Sequence, residues 1–277
     1  MSRIHAGAVV TGAGRGLGKK IAALLVECGY QVLVTDVDLA TAQDTADELG
    51  GGTTALAVDV RDHTQVETAR DAIVERARRL DVWVNNAGVL LTGPAWEQDE
   101  AARRLIIEVN ALGAINGTVA AIEAMRGNGG GHVVNVVSLA GLTAVPGEAV
   151  YAASKHAALG FSLSTVADLR LAGITDIDIS CICPDGIWTP MLHDKLDDPA
   201  SALSFSGKLL APDEVVDAVR TVLDSPRLVT TIPRWRGLLV RLGDTFPRFG
   251  LKTVPLMVAQ GRRAQRKLRS TGGPRNL

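Results

Sequence analysis

Short uninterrupted runs of Val, Ile, Leu and Ala recur along the chain, separated by longer mixed stretches that glycines or acids open and close. "AGAVVTGAG" reads as a buried strand ending in glycines, and "LGKKIAALLVECG" as the helix after it. "QVLVTD" is a second strand, followed by the helical "ATAQDTADELG", which closes on Gly50, Gly51 and Gly52. "TALAVDV" gives a third strand, residues 63 to 79 a third helix, and "DVWVNNAG" a fourth strand with its exit. Residues 97 to 125 form one long helical region with Asn110 inside it, and "GGGHVVNVVS" is a fifth strand entered through glycines. A helix over 150 to 172, the strand "ITDIDISCICP", a helix from Pro212 to Leu223 and the strand "RLVTTI" complete the rhythm. Apolar runs alternating with helices mean parallel strands covered on both faces. The expected fold is therefore α/β, a doubly wound and mostly seven-stranded parallel sheet flanked by helices. Nothing divides it before about Pro233, so one domain over 1–233 is expected, with an extension over 234–277.

Residues 184 to 211 break the rhythm. "PDGIWTPMLHDKLDDPASALSFSGKLLAP" is long, mixed and punctuated by prolines. It reads as a substrate lid or a disordered insertion, and Trp188, Met191, Leu192 and Phe205 favour the lid.

The composition, 47% hydrophobic with 29 glycines and 4% aromatics, suits a packed domain. Cys28, Cys181 and Cys183 sit in apolar surroundings without metal spacing, as small hydrophobes of a reducing, cytoplasmic compartment. The start, "MSRIHAGAVVTGAG", does not read as a signal peptide, and no stretch reaches the uninterrupted length of a membrane span. Charge changes the picture at one end. From Arg234 onward there are eleven Lys or Arg residues against Asp244 alone, a net of +10 in a chain of net −1, which leaves −11 for the rest. Arginines mixed with Leu, Val, Phe and Trp mark a membrane surface, an acidic partner or a hydrophobic lid with a solvated rim. The terminal "GRRAQRKLRSTGGPRNL" reads as a frayed tail, and the body of the chain lacks the aromatic-basic interleaving of a nucleic-acid binder.

Chemistry enters with "TGAGRGLG", which places Gly12, Gly14, Gly16 and Gly18 between the first strand and the first helix. Such a turn lets backbone approach a pyrophosphate, and the helix N-terminus offers it unpaired N–H groups. Asp36 ends the next strand, where a carboxylate accepts both ribose hydroxyls of NAD and repels the extra phosphate of NADP. Arg15, a cation in the turn, works in the opposite sense. Asp59 ends the third strand, facing the adenine amino group or capping a turn. In "YAASK", Tyr151 and Lys155 lie one helical turn apart, so an ammonium beside a phenol favours the phenolate. Tyr151 follows Ser138 by thirteen residues, and Ser138 ends the fifth strand, where a ligand crevice opens.

These pieces, with "DV" at 59 to 60, "NNAG" at 85 to 88, Asn110 and "CPDGIWTPM" at 183 to 191, resemble the short-chain dehydrogenase/reductase (SDR) family, in the expected order over about residues 5 to 225. The resemblance implies a single-domain Rossmann fold and a nicotinamide-dependent oxidoreductase. By that resemblance Tyr151 exchanges a proton with the substrate oxygen, and Lys155 lowers its pKa and holds the nicotinamide ribose. Ser138 hydrogen-bonds the substrate oxygen and Asn110 anchors a water of the proton relay. Gly12, Gly14, Arg15, Gly16, Leu17, Gly18, Asp36, Val37, Asp59, Val60, Asn86, Ala87, Gly88, Tyr151, Lys155, Pro184, Gly186, Ile187 and Thr189 would contact NAD. Asn85 reads as structural. Where the family has a glycine after Pro184 this chain has Asp185, which alters the loop or adds a carboxylate near the carboxamide.

The pocket wall expected from Leu139, Ala140, Val145, Pro146, Trp188, Met191 and Leu192 is apolar and lacks an arginine clamp, pointing to a hydrophobic secondary alcohol or ketone of steroid, retinoid or lipid type. His156 and His193 read as surface or packing residues, and no metal site is expected. The helices at 97–125 and 150–172 would pair copies into a homodimer or homotetramer, and the extension gives a possible peripheral membrane contact. The competing readings are an NADP-dependent carbonyl reductase, a nucleotide-binding scaffold without turnover, and an epimerase or dehydratase of nucleotide sugars.

Overall fold

A computed structural model describes residues 6–271. Seven parallel strands form one sheet in the order β3-β2-β1-β4-β5-β6-β7. The strands are β1 (Gly7–Thr11), β2 (Gln31–Asp36), β3 (Thr54–Ala57), β4 (Leu80–Asn85), β5 (Gly131–Val136), β6 (Ile177–Pro184) and β7 (Val229–Ile232). The chain winds outward from β1 to β3, then restarts at β4 on the other side. The crevice between β1 and β4 is therefore the switch point, where ligands bind beyond the strand ends.

Helices cover both faces: α1 (Gly16–Glu27), α2 (Leu39–Leu49), α3 (His63–Ala77), α4 (Glu100–Ile107), α5 (Gly113–Met125), α6 (Ala149–Leu171) and α8 (Pro212–Asp224), with a short α7 (Pro190–His193) in the loop after β6. One apolar layer joins β1, β2 and β4 to α1 and α8 through residues such as Val10, Ile21, Leu25 and Val219. The other layer packs Val9, Ile73, Trp83, Met125 and Ile179 between the sheet and helices α3 and α5. Full burial on both faces is why these strands read as continuous Val and Ile runs rather than alternating ones.

α4 and α5 are continuous through a π-helical turn, Glu108–Leu112, which carries Asn110. The resulting helix, Glu100–Met125, has the length and hydropathy of a membrane span, which corrects the sequence expectation; half of its most apolar window is buried within the fold.

Residues 184–211 are ordered, which sets aside the disordered insertion: α7, a 3-10 helix at Pro199–Phe205, and a parallel bridge between Ile187 and Leu210 shape them. One segment departs from expectation. The extension is not a frayed tail over its described part. It forms α9 (Arg234–Thr245) and α10 (Pro247–Thr271). α10 is held because Gly261 lies against the Ala202 backbone, leaving no room for a side chain. One turn on, the buried Gln265 donates to the Asp198 carbonyl (2.8 Å) and to Ser201 Oγ (3.0 Å). Residues 272–277 of the expected tail lie outside the described residues.

Candidate active site

The glycine turn follows from two close approaches. Gly12 has φ +60°, and a Cβ there would lie 2.7 Å from Ala87 Cα; a Cβ on Gly18 would meet the Gly12 carbonyl. Asn86 fixes the turn by donating from Nδ2 to the Thr11 and Gly12 carbonyls, at 3.0 and 2.9 Å. α1 then starts with no acidic residue in its first turn and no side-chain cap, so its N–H donors face the cleft unneutralised. Asp36 Oδ2 accepts the Gly14 N–H at 3.0 Å, tying the end of β2 to the turn.

One open cleft of about 1170 Å³ runs from this turn along the strand ends. Gly12, Arg15, Gly16, Leu17, Gly18, Asp36, Val37, Asp59, Val60, Asn86, Ala87 and Gly88 line one end. Ser138, Tyr151, Lys155, Pro184, Gly186, Ile187 and Thr189 line its middle. Two expected residues stand behind the wall. Gly14 gives its N–H to Asp36, and Asn110 donates to the Val89 carbonyl (2.9 Å) and to Ser154 Oγ (3.1 Å) while accepting from the Val89 N–H (2.8 Å). The Asp59 carboxylate is taken up by the Arg61 guanidinium, with Nε at 2.9 Å from Oδ1, and this arginine holds its pKa below the ordinary value. Asn85 is structural: buried, it accepts from Trp83 Nε1 (2.8 Å) and donates to Asn135 Oδ1 (2.8 Å). Thr189 precedes Pro190 without a side-chain cap to the short helix α7.

Tyr151 is held beside Ser138, whose hydroxyl favours the phenolate. Lys155 Nζ lies 5.7 Å from the Tyr151 ring centre and donates to the Val136 carbonyl at 3.0 Å. Burial dominates both ionisations. It raises the phenol well above its ordinary value, and the Glu148 charge acts in the same direction, against the Ser138 hydroxyl. It lowers Lys155 to about 8. In this cavity desolvation outweighs any lowering of the phenol by the lysine, contrary to the effect expected from their spacing alone.

Three features escaped sequence reasoning. Glu148, one turn before Tyr151, is 1% exposed yet lines the cleft; it accepts from Ser204 Oγ at 2.6 Å, and burial pushes it up to about 7. Asp185 does not add a free carboxylate beside the cofactor end. It pairs with Arg236 Nε of α9 at 2.5 Å, both side chains about nine-tenths buried. Burial still raises its pKa, with Arg236 opposing. Finally, the apolar wall holds Leu139, Ala140, Val145, Met191 and Leu192 as expected, but Leu203, Val240 and Met257 replace Pro146 and Trp188, and Trp188 instead meets His193 with ring centres 4.0 Å apart and planes tilted by 53°. Only the spacing of the extension's apolar residues could have signalled the two contributed by α9 and α10.

A glycine turn and an acid at the switch point, with Ser138, Tyr151 and Lys155 converging on one cleft, define a dinucleotide-binding oxidoreductase of the Rossmann type. The comparisons agree: residues 6–200 match the family described as short chain dehydrogenase. The chain belongs to that family. It is 36% identical over 67% of its length to sex determination protein tasselseed-2 of Zea mays, of which it spans only 56%. It is 30% identical over 86% of its length to estradiol 17-beta-dehydrogenase 11 of Rattus norvegicus, covering 79% of that protein. A solved short chain dehydrogenase/reductase from Burkholderia phymatum, in complex with NAD, superposes with TM-score 0.79 at 26% identity, over 92% of this chain and 96% of that one.

Proposed function

We propose that the chain is an NAD-dependent oxidoreductase that interconverts a hydrophobic secondary alcohol and its ketone. The observation that carries this is the single cleft: pyrophosphate-ready backbone and Asp36 at one end, Ser138, Tyr151 and Lys155 in the middle, and an apolar wall beyond. At about 1170 Å³ it exceeds a drug-sized pocket of roughly 300–1,000 Å³, giving room for a dinucleotide and a substrate together. The residues fit the cofactor. Gly12 and Gly18 keep the turn free of side chains, α1 directs N–H groups to the pyrophosphate, and Asp36 receives the adenosine ribose hydroxyls. Bound there, NAD supplies the hydride acceptor. Ser138 orients the substrate oxygen, Tyr151 holds or takes its proton, and Lys155 places a cation beside both. Asn110, fixed to Val89 and Ser154, positions rather than touches.

The similarity to an estradiol 17-beta-dehydrogenase supports an apolar, steroid- or lipid-sized substrate. Exposed Ile107, Leu112 and Leu163 on α4, the π turn and α6 support pairing of copies through that face. The buried thiols Cys181 and Cys183 support a reducing, cytoplasmic setting.

The test pairs binding with turnover. NADH is expected to bind at least about tenfold tighter than NADPH, a gap of about 1.4 kcal/mol that Asp36→Ala removes. Tyr151→Phe is expected to keep NADH binding while turnover of hydrophobic alcohols falls by about 10²–10⁴. Preference for NADPH would reverse the cofactor assignment in favour of Arg15, and binding of neither nucleotide would overturn the reading.

A further inference from the structure

α9 turns its apolar stripe away from the core. Trp235, Leu238, Leu239 and Leu242, three and four residues apart, share one face and are 51–64% exposed, whereas Arg236 and Gly237 on the opposite side are buried. Phe246, Phe249 and Leu251 carry the surface into α10 at 58–69% exposed. An exposed apolar surface of this extent marks an interaction site. It is also the rim of the cleft, which Leu239, Leu242, Phe246 and Phe249 line.

Its surroundings are basic. Arg234, Arg241, Arg248 and Lys252 are exposed around it, and Asp244 is the single acid from Arg234 to the end of the chain. We propose that this face docks on an anionic lipid surface, with α9 and the turn into α10 lying in the interfacial plane and the cleft opening towards the acyl chains. Charge selects this occupant and its orientation. The face carries Arg234, Arg241, Arg248 and Lys252 against Asp244, whereas the first 233 residues carry −11, so an anionic surface attracts this face and repels the rest. Spanning is excluded for α9 by length, since its 12 residues make about 18 Å of helix against a hydrocarbon core of about 30 Å, and for α10 by its many cations and by its attachment to the loop through Gly261 and Gln265. A protein seated on the rim would cover the cleft mouth, whereas a bilayer presents apolar molecules to it. Docking stands independently of the chemistry at Tyr151; the delivery of an apolar substrate rests on the function proposed above.

The test is co-sedimentation of the full chain with phosphatidylglycerol–phosphatidylcholine vesicles and with phosphatidylcholine vesicles. Binding is expected to the anionic vesicles and to weaken as salt rises. Arg241→Gln/Arg248→Gln/Lys252→Gln is expected to weaken it about fivefold per cation, on the order of 100-fold in all, with NADH binding and melting temperature unchanged. Trp235→Ser/Leu238→Ser/Phe249→Ser, at exposed positions, is expected to abolish it while the protein still melts cooperatively. No binding to either vesicle, or equal binding to both, overturns the proposal. So does a solution mass above one chain that the serine variant alone returns to a monomer, which would make this face an interface between copies. NADH titration of the same samples tests the oxidoreductase reading separately.

Discussion

Glu148 immediately precedes α6 and Tyr151 lies in its first turn, and burial acts on them alike, favouring the protonated form of each. For Glu148 this has a definite pH consequence. Its folded pKa is about 7 against an ordinary 4.5, so the unfolded chain releases this proton first. The stabilisation is fully present below about pH 4.5, declines as pH rises and is gone above about 7, a loss of up to about 3 kcal/mol. Asp198 adds to the upward shift and Lys195 opposes it; the Ser204 hydrogen bond also opposes it. Glu148→Gln is expected to remove this slope, so denaturant titrations at pH 5 and pH 8 should differ less in the variant than in the parent; identical slopes would show that Glu148 does not titrate there. In the sequence this residue was one acid near a helix start. Its burial depends on Ser204, fifty-six residues away, and no local pattern carries that information. Tyr151, Lys155 and Ser138 were legible because their spacing is itself the chemistry, though the size of the desolvation acting on them was not.

Among the elements, those packed on both sides announced themselves. β1, β4, β5 and β6 are runs of buried Val, Ile, Ala and Cys, and the helices between them end at glycines or start at acids such as Asp38 and Asp62, whose side chains cap α2 and α3. At the far end of the extension charge dominates "GRRAQRKLRS" and hides the two positions that matter. Gly261 and Gln265 share a face four residues apart, and that face clamps the 3-10 helix Pro199–Phe205. Gly261→Val is expected to lift α10 from the loop, since its side chain would overlap the Ala202 backbone. Amide exchange across residues 195–205 should then accelerate by at least about tenfold, with the β-sheet amides unaffected; unchanged exchange there would mean that the loop orders itself without α10.

At the scale of the whole molecule, the ion pair between Asp185 and Arg236 joins the end of the central sheet to α9. Arg236 also donates to Ser206 Oγ at 2.7 Å, so one buried guanidinium holds strand end, loop and extension together. Removing one partner strands a buried charge. Arg236→Met is expected to destabilise by about 3–5 kcal/mol, and adding Asp185→Asn should recover a large part of that in equilibrium unfolding. A double variant no better than the single would show that the arginine acts through packing alone. The sequence displayed Asp185 as a departure beside the cofactor, and its partner fifty-one residues on was invisible without the fold.

The cleft is divided in its parentage. Its glycine turn, Asp36, Ser138, Tyr151 and Lys155 come from the sheet and its connections, whereas much of its apolar far wall and rim comes from the loop after β6 and from α9 and α10. Those pieces meet the sheet along the ends of β6 and β7, through the Asp185–Arg236 pair, Gly237 against Thr231 and Val240 among Val137, Leu139 and Cys183. Selectivity is therefore expected to travel as one unit, 184–211 with 234–271, onto a sheet that offers the same strand-end contacts, whereas either segment moved alone would arrive without the surface that shapes it.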